Sequence, residues 1–576
     1  MKGQPCSPAH RITPTAMGVL ALLLLPKIGK AAEEHPLLSI MASELKLSME
    51  KLVGPDGTKP YFLQYWVTHE DEVTVAATLG SVTQNNVNRT RSLDVDVRCG
   101  DYALDSTRQI RGSSGFGDYD YGWWNRTSLP LSDDPLATRH ALWLATDTKF
   151  KSAVKRLAQV KANLKVKVDE EDKADDFSHE KPSVHIGPWL SQAYDRDRLA
   201  DRVKKYSQRF RAEPLIYSSS VTLSGGVTNR LAVNSEGSQL QFGRGAWRIG
   251  IMASTIAEDG MELWQYKSFD AATLEGLPDD DEIMQGVQKV IRELLTLRSA
   301  PVVEPYTGPA ILQNRASAVF FHEIFGHRVE GHRQKDVEEG QTYAKKIGQE
   351  ILPPFINVVD DPTQQKFGQL DLNGFYEFDD ECIRAQPTRV VEHGVLKTFL
   401  LSRSPTRGFT KSNGHGRRQP GAQVCARMGN LVVESVRQVP YDQLRAQLVE
   451  ECQKQGKEFG LLFGDISGGF TFTGRFLPQA FKVIPILVYK VYADGRPDEL
   501  VRGVDIVGTP LTCFSKILCT GDDPDVFNGY CGAESGSVPV SGISPSILVE
   551  QIEVEKKEKA QDRPPILPAP IADEQK

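Results

Sequence analysis

Hydrophobic and polar positions divide the chain into stretches of two different periods. Leu37, Leu38, Ile40, Met41, Leu45, Leu47 and Leu52 recur at roughly helical spacing, and Gly54-Pro-Asp-Gly57 ends that stretch with turn chemistry. Residues 61–67, 73–78 and 92–98 read as strands, the last alternating strictly as a half-buried strand does. Helical patterns follow over 135–164 and 191–211. Between 218 and 264, alternation between Gly-rich turns predicts a strand meander, and 279–299 is a further helix. Residues 112–121 are loop by composition, and 165–177 form a charge block of the kind that stays solvated. Ala300-Pro-Val-Val-Glu-Pro305 reads as the linker between two halves.

The second half predicts short strands over 351–359, 374–379, 388–392 and 395–401, then a polar loop over 412–420 and a helix over 441–456. Residues 460–474 are a Gly-rich strand or loop, 481–491 and 499–507 strands, and 510–518 a short helix. From about Lys556 the Lys-, Glu- and Pro-rich tail has too little apolar surface to bury a core and is expected to be disordered.

One segment breaks this ordinary pattern. Residues 314–332 begin as an Ala- and Phe-rich run without Pro, apolar on nearly every side, which is the pattern of a buried helix. Inside it stand His322, Glu323 and His327. Burying an imidazole or a carboxylate costs several kcal/mol unless each finds a partner. Two neutral imidazoles with an adjacent carboxylate are the parts of a hydrolytic zinc centre: ligands for the metal, and a base for water. In His-Glu-x-x-His the rings are four apart, about 40° round a helix; here they are five apart, about 140°, too far to share one ion on an ideal helix. A single wide turn of π type would absorb the extra residue, and Gly326 would tolerate it. The bland alternative is two satisfied core histidines with Glu323 paired to an Arg. A His-Glu-x-x-x-His match inside an apolar run, in a chain with only 11 histidines, favours metal.

Composition narrows the setting. At 576 residues the chain is long enough for two or three domains, and 40% hydrophobic with 25% charged residues is ordinary for a globular protein. A formal charge of -7 leaves no basic footprint for nucleic acid. Lys2 and Arg11 precede an apolar core at 17–25, then Pro26 and Gly29-Lys-Ala31. That is a secretory signal pattern with cleavage expected after Ala31, and it is too short to span a bilayer. It predicts an exported protein, periplasmic or secreted, with no stable membrane span after cleavage. Removing Cys6 with the signal leaves Cys99, Cys382, Cys425, Cys452, Cys513, Cys519 and Cys531, an odd set in which one cysteine is unpaired or binds something. Cys513 and Cys519 are close enough in sequence for a local disulfide.

Catalytic zinc generally takes three protein ligands. The candidates for the third are Glu330, His332, His393, His415 and the cysteines. Cys531 stands in a Gly-rich stretch suited to approach an ion, and His332 remains an equal alternative on these grounds.

The motifs occur in an order that resembles a known family. His322-Glu-Ile-Phe-Gly-His327 with Glu330-Gly331, Asn413-Gly-His-Gly-Arg-Arg418, Arg427-Met-Gly-Asn430 and Tyr530-Cys-Gly-Ala-Glu-Ser-Gly-Ser-Val-Pro-Val540 are similar to the motifs of the TldD/PmbA metallopeptidases. The resemblance is strong over 300–555 and looser over 40–300, where Asp101-Tyr-Ala-Leu-Asp105 and 129–143 carry it. It implies His322, His327 and Cys531 as zinc ligands and Glu323 as the base. It also implies an α+β architecture: a mixed α/β N-terminal domain (32–300, after the signal at 1–31, with a charged insertion near 165–180), then a β-rich C-terminal domain (301–555) around the metal helix, and a tail (556–576). Such proteins form dimers, in some cases of a zinc-bearing TldD-like subunit with a metal-free PmbA-like one, and cleave unfolded or extended peptides. The chain resembles the metal-bearing type. It departs from the common cytosolic members in its signal, its charged insertion, and His332 where Asp is frequent.

The activity so implied is zinc-dependent peptide hydrolysis, with Glu323 moving the proton. His415, Arg417, Arg418 and Tyr530 are candidates to supply positive charge or a donor to the oxyanion, the alternative for Arg417 and Arg418 being that they simply pair with surface carboxylates. Two alternatives belong to other classes: a non-catalytic peptide-binding or chaperone-like subunit, and a metal-dependent amidohydrolase acting on small substrates.

Overall fold

The computed structural model describes residues 32–109, 126–165, 173–336, 339–474, 481–508, 514, 516–557 and 563–572. The expected signal at 1–31, the loop at 112–121 and the middle of the charge block lie outside these residues, as does most of the helix expected over 510–518.

The N-terminal half is built on one largely antiparallel sheet, which extends beyond the meander expected over 218–264, with Val184–Ile186 added in parallel at one edge. Helix α1 (Pro36–Lys51) leads into strands β1 (Pro60–Thr78) and β2 (Ser81–Cys99), 19 residues each. The separate runs expected at 61–67 and 73–78 are therefore one strand. Pairing continues through the polar His69-Glu-Asp-Glu72, opposite residues 88–91 of β2 and 226–229 of the next strand inward, so both backbone edges are satisfied whatever the side chains. Residues 81–89 show no hydrophobic period because their arm of the hairpin is largely exposed. Helices α2 (Pro135–Leu164) and α3 (Arg196–Gln208) precede strands β3 (Ser218–Asn234), β4 (Gln239–Ile256) and β5 (Glu262–Ala271), and helix α4 (Asp280–Ser299) closes the half. α3 begins at Arg196 rather than 191 because the Asp195 side chain accepts the first free backbone N–H groups, those of Asp197 and Arg198. α1 and α2 cover one end of the long strands, burying Leu38, Met41, Leu142 and Leu157 against Leu63, Tyr65 and Val67. α3 and α4 cover the other end, with Val203, Val287 and Leu294 against Val75, Leu223 and Ile249.

The main elements of the C-terminal half are β6 (Tyr306–Leu312), α5 (Asn314–Ile324), α6 (His332–Lys335), β7 (Ile356–Asp360), β8 (Thr388–Glu392), β9 (Asn430–Ser435), α7 (Tyr441–Lys454), β10 (Phe459–Thr471), β11 (Phe481–Tyr492), β12 (Val504–Gly508), β13 (Ile517–Gly521), β14 (Asp525–Ala533), β15 (Gly536–Ser544) and β16 (Ile547–Lys556). Two sheets result. One runs β8-β7-β9-β15-β14, extended beyond β8 by Val395–Leu396. The other runs β13-β16-β12-β11-β10-β6, and a further pairing of β16 with β6 closes β6-β10-β11-β12-β16 into a ring. Residues 374–379 form no named strand, and 517–521 is a strand paired to β16 rather than the end of a helix. A short apolar run is ambiguous between the two, and the free edge of β16 decides it.

α5 lies between the sheets. It packs against β10 and β11 of the ring and against β14 and β15 of the other sheet. Phe320, Phe321 and Ile324 are fully buried in a core shared with Val358, Leu431, Val488 and Ile547. The halves are joined by polar groups under cover: Arg403, fully buried, stands over the rings of Phe62 and Phe177 and pairs with Glu236. The fold class is α+β, strand-rich, as expected. The described tail residues, 563–572, carry a single 3-10 turn at Pro570–Ala572, and Arg563 donates to the Glu258 carbonyl. The six described cysteines, Cys519 among them, are free thiols; Cys513 lies outside the described residues. No helix among the described residues is long and apolar enough to cross a membrane.

Candidate metal centre

The segment that carries the two histidines is a helix that stops between them. α5 makes its last α-type bond from Phe325 N–H to the Phe321 carbonyl, and a 3-10 turn over Gly326–Val329 takes over, with Arg328 N–H bonded to Phe325 O at 2.9 Å. The irregularity expected from the five-residue spacing is present, but it tightens the chain; the expected wide π-type turn is not formed. Ending the helix solves the same geometric problem, because the turn swings His327 back beneath His322 until the rings meet edge to face at 5.1 Å. Gly326 is needed here for space rather than for backbone freedom: a Cβ on it would lie 2.0 Å from Met428 Sδ.

The third group arrives from β14. Cys531 faces inward opposite Val538 of β15, and its Sγ lies 3.3 Å from His327 Nε2. One donor atom from each of His322, His327 and Cys531 lies within 4.8 Å of the other two, and all three residues are buried. Close packing of α5 on β15 makes this approach possible: a Cβ at Gly542 would be 3.2 Å from Ala318 Cβ. The donor chemistry fits a zinc ion, which takes thiolate and imidazole in tetrahedral sites. Electrostatics agree. Burial opposes a thiolate, yet His327 and His322 beside it hold the Cys531 thiol well below its ordinary range. Burial likewise opposes charge on the rings, but Cys531 outweighs it and raises both histidines, His327 strongly. A sulfur that gives up its proton this readily is prepared for a cation.

Behind His327 stands a support that sequence reasoning placed differently. Glu330, a candidate ligand, instead accepts at 3.2 Å from His327 Nδ1, the ring nitrogen turned away from the donor cluster. It is held in turn by Arg333 Nε at 2.8 Å, with Arg427 Nε at 3.5 Å. A carboxylate on the far side of a ligating imidazole fixes its tautomer and orientation. Arg427 also ties down the strand that carries the sulfur, donating to Cys531 O at 2.6 Å and Ser535 Oγ at 2.8 Å. The clue to Glu330 was its three-residue spacing from His327 within one turn; Arg333 had no signal beyond its charge.

Glu323 is half-buried at the end of α5, and its side chain lies over Gly469 of β10, where an added Cβ would be 3.0 Å from Glu323 Cγ. Its charge reaches His322, whose ring it helps to protonate. The groups suggested for the oxyanion are otherwise engaged. His415 is completely buried and bonds Asp360 and Asn413. Arg417 donates to Met428 O and Pro539 O beneath the Tyr376 ring, and Arg418 pairs with Asp94. Tyr530 alternates to the opposite, exposed face of β14 from Cys531, under Arg248. His393 occupies a turn at φ 49° between β8 and Val395–Leu396. His332 lies outside the three-donor cluster, against Glu534 and Cys425.

Residues 305–556 match the family model described as the PmbA/TldA metallopeptidase C-terminal domain. A protein named metalloprotease from Archaeoglobus fulgidus is 28% identical over 275 residues, 46% of this chain and 58% of its own length. A zinc metalloprotease TldD homolog from Saccharolobus solfataricus is 22% identical over 65% of this chain and 79% of its own. The solved structure of TldE from Thermococcus kodakarensis superimposes with a TM-score of 0.59 at 16% identity, covering 90% of this chain and all of that one. The Archaeoglobus match thus spans little more than half of that relative. Residues 305–556 therefore carry the PmbA/TldA metallopeptidase C-terminal domain, and most of the chain shares the fold of TldE.

Proposed function

We propose that this chain is a metal-bearing, TldD-like subunit: a zinc-dependent peptidase that hydrolyses unfolded or extended peptides, with His322, His327 and Cys531 as zinc ligands and Glu323 as the general base. The observation that carries the reading is the convergence of two imidazoles and one thiol from α5, the 3-10 turn and β14, with a carboxylate adjoining the first ring and another bonded behind the second. Three protein donors leave a coordination position open, whereas a closed structural site takes four.

A zinc ion held by these donors supplies Lewis-acid polarisation of a peptide carbonyl and of water. The protein's part is positional. Glu330 keeps His327 Nδ1 protonated and its Nε2 turned toward the sulfur, and Arg427 fixes the β14 backbone at Cys531. Glu323, at the edge of the centre, takes the proton from the attacking water and returns it to the leaving amine. A thiolate in the donor set donates more charge than a third imidazole, which moderates the metal and predicts slow turnover. Beside Glu323, Phe470 of β10 and Phe472 just beyond its end are both 45% exposed, with rings 5.5 Å apart. Large aromatic side chains left in water near a hydrolytic centre suit the apolar side chains that an unfolded peptide displays.

The test is Glu323→Gln. It should retain zinc and lose cleavage of an unfolded protein such as reduced casein; full activity in the variant would refute the assignment, and activity confined to small amides would refute the substrate class. The likeness to TldE supports pairing with a PmbA-like subunit, with a homodimer as the alternative, to be decided by mass measurement of the isolated and co-expressed chain. The N-terminal pattern supports export to a periplasmic or secreted location, which cell fractionation would contradict if the full-length chain stayed inside.

A further inference from the structure

Next to the first centre a second set of soft and hard donors converges. His332 at the start of α6, Cys425 on the two-residue strand Cys425–Ala426, and Glu534 in the turn between β14 and β15 each offer one donor atom, all within 4.8 Å of one another. These residues come from three separate places in the chain, yet two of the segments are shared with the first centre: His332 is five residues beyond His327, and Glu534 is three beyond Cys531. We propose that His332, Cys425 and Glu534 form a second site for a divalent cation of the zinc type, distinct from the site of His322, His327 and Cys531.

The donor types select the ion. A thiol and an imidazole favour zinc over magnesium or calcium, and a carboxylate completes a set that zinc accepts. Donor atoms in a tetrahedral zinc site stand about 3.5 Å apart, given bonds of about 2.0–2.3 Å. The donor separations, none above 4.8 Å, lie near that spacing, and the His332–Glu534 hydrogen bond would give way to bonds to the ion. The charges also suit: with the thiol ionised, one thiolate and one carboxylate neutralise a dication. The alternative is that His332 is an ordinary structural histidine. The contrast with His415 argues against it. His415 has both ring nitrogens bonded, to Asn413 and to Asp360. His332 bonds Glu534 through Nε2, while its Nδ1 is buried without a hydrogen-bond partner. The Cys425 thiol also interacts with this ring, so its polar partners are the other two members of the cluster.

The two sites are also connected. Glu534 gives one carboxylate oxygen to His332, and the other accepts from Arg333 Nη2 at 2.8 Å. Arg333 Nε donates to Glu330 Oε2, which bonds His327 Nδ1. Occupation of the second site would therefore fix Glu534, and through Arg333 the carboxylate that orients His327. In that arrangement His332, Cys425 and Glu534 are positioning residues for the first centre.

Metal stoichiometry tests the proposal independently of peptidase activity. The full chain is stripped of metal, reloaded with zinc and freed of loose ions by gel filtration. Wild type should retain two zinc per chain, Cys531→Ser one and Cys425→Ser one. Loaded with cobalt(II) instead, Cys531→Ser should still show the near-ultraviolet thiolate-to-cobalt absorption, which the added substitution Cys425→Ser removes. Should Cys425→Ser fail to fold, His332→Asn makes the same measurement. One zinc in wild type, or a folded Cys531→Ser protein with neither retained zinc nor thiolate–cobalt absorption, would overturn the second site while leaving the first untouched. Loss of zinc in Cys425→Ser with retention in Cys531→Ser would instead indict the first.

Discussion

Replacing Glu330 by Gln probes the support behind the metal centre without touching a proposed ligand. Glu330 has no exposed surface. Its carboxylate meets His327 Nδ1 at 3.2 Å, Arg333 Nε at 2.8 Å and Arg427 Nε at 3.5 Å. Burial pushes its carboxyl up, but His327 and Arg333 pull further the other way, to about 2 from an ordinary 4.5. At 1.36 kcal/mol per unit this is roughly 3 kcal/mol of favourable interaction in the metal-free protein, where His327 is charged. With zinc bound, His327 is neutral, and the share that bears on the metal is the hydrogen bond orienting its ring. Losing such a partner typically costs about 10–100-fold in metal affinity, or about 1.4–2.7 kcal/mol. Gln keeps the size and one acceptor oxygen, but it leaves Arg333 and Arg427 facing an amide. Zinc affinity, measured by competition with a chromophoric chelator, should therefore fall by about 10–100-fold. Thermal unfolding of the stripped protein should begin at lower temperature. The folded-state value lies below the unfolded one, so this stability is complete above about pH 4.5 and is lost as pH falls through about 2. Variant and wild type should converge in acid. A zinc affinity within twofold of wild type, together with an unchanged unfolding midpoint at neutral pH, would refute the supporting role of Glu330.

Two further expectations concern packing and pH. Gly326→Ala should lower thermal stability by about 1–3 kcal/mol through overpacking and reduce zinc retention, because the new methyl meets Met428 Sδ at 2.0 Å; adding Met428→Ala should restore zinc retention, though not stability since Met428 is itself a buried core residue, and an unaffected single variant would dismiss the steric account. His35 and His69 both flank Trp189, and burial, helped by Arg91 beside them, lowers both ring pKa values. The unfolded rings thus take up protons at higher pH than the folded ones, so stability is full above about pH 6.5 and falls as pH drops below it. Urea titrations followed by tryptophan fluorescence should show this, and a flat profile from pH 7.5 to 5.5 would contradict it.

Much of the local structure was legible along the chain. α1, α2, α4 and α7 lie where apolar spacing put them, because such helices bury one face against a single neighbouring layer. Elements whose form depends on a distant partner were misread. β1 continues through four polar residues because β2 and β3 satisfy its backbone on both edges, and 517–521 is a strand because β16 lay open beside it. The same division runs through the site. The five-residue spacing of His322 and His327 required a break in the helix, but whether the turn would widen or tighten depended on room beside Gly326, which Met428 of a remote loop limits.

By itself the sequence determined which titratable side chains stand in an apolar helix, and it narrowed the candidates for a third donor to a short set in which Cys531 and His332 were equal on physical grounds. Only the tertiary structure separated them. The β14–β15 hairpin, packed on α5, carries the Cys531 sulfur to His327 and leaves His332 on the far side of the Glu330–Arg333 pair. Periodicity is a property of neighbours along the chain, whereas a coordination sphere belongs to atoms that only folding brings within a few ångströms.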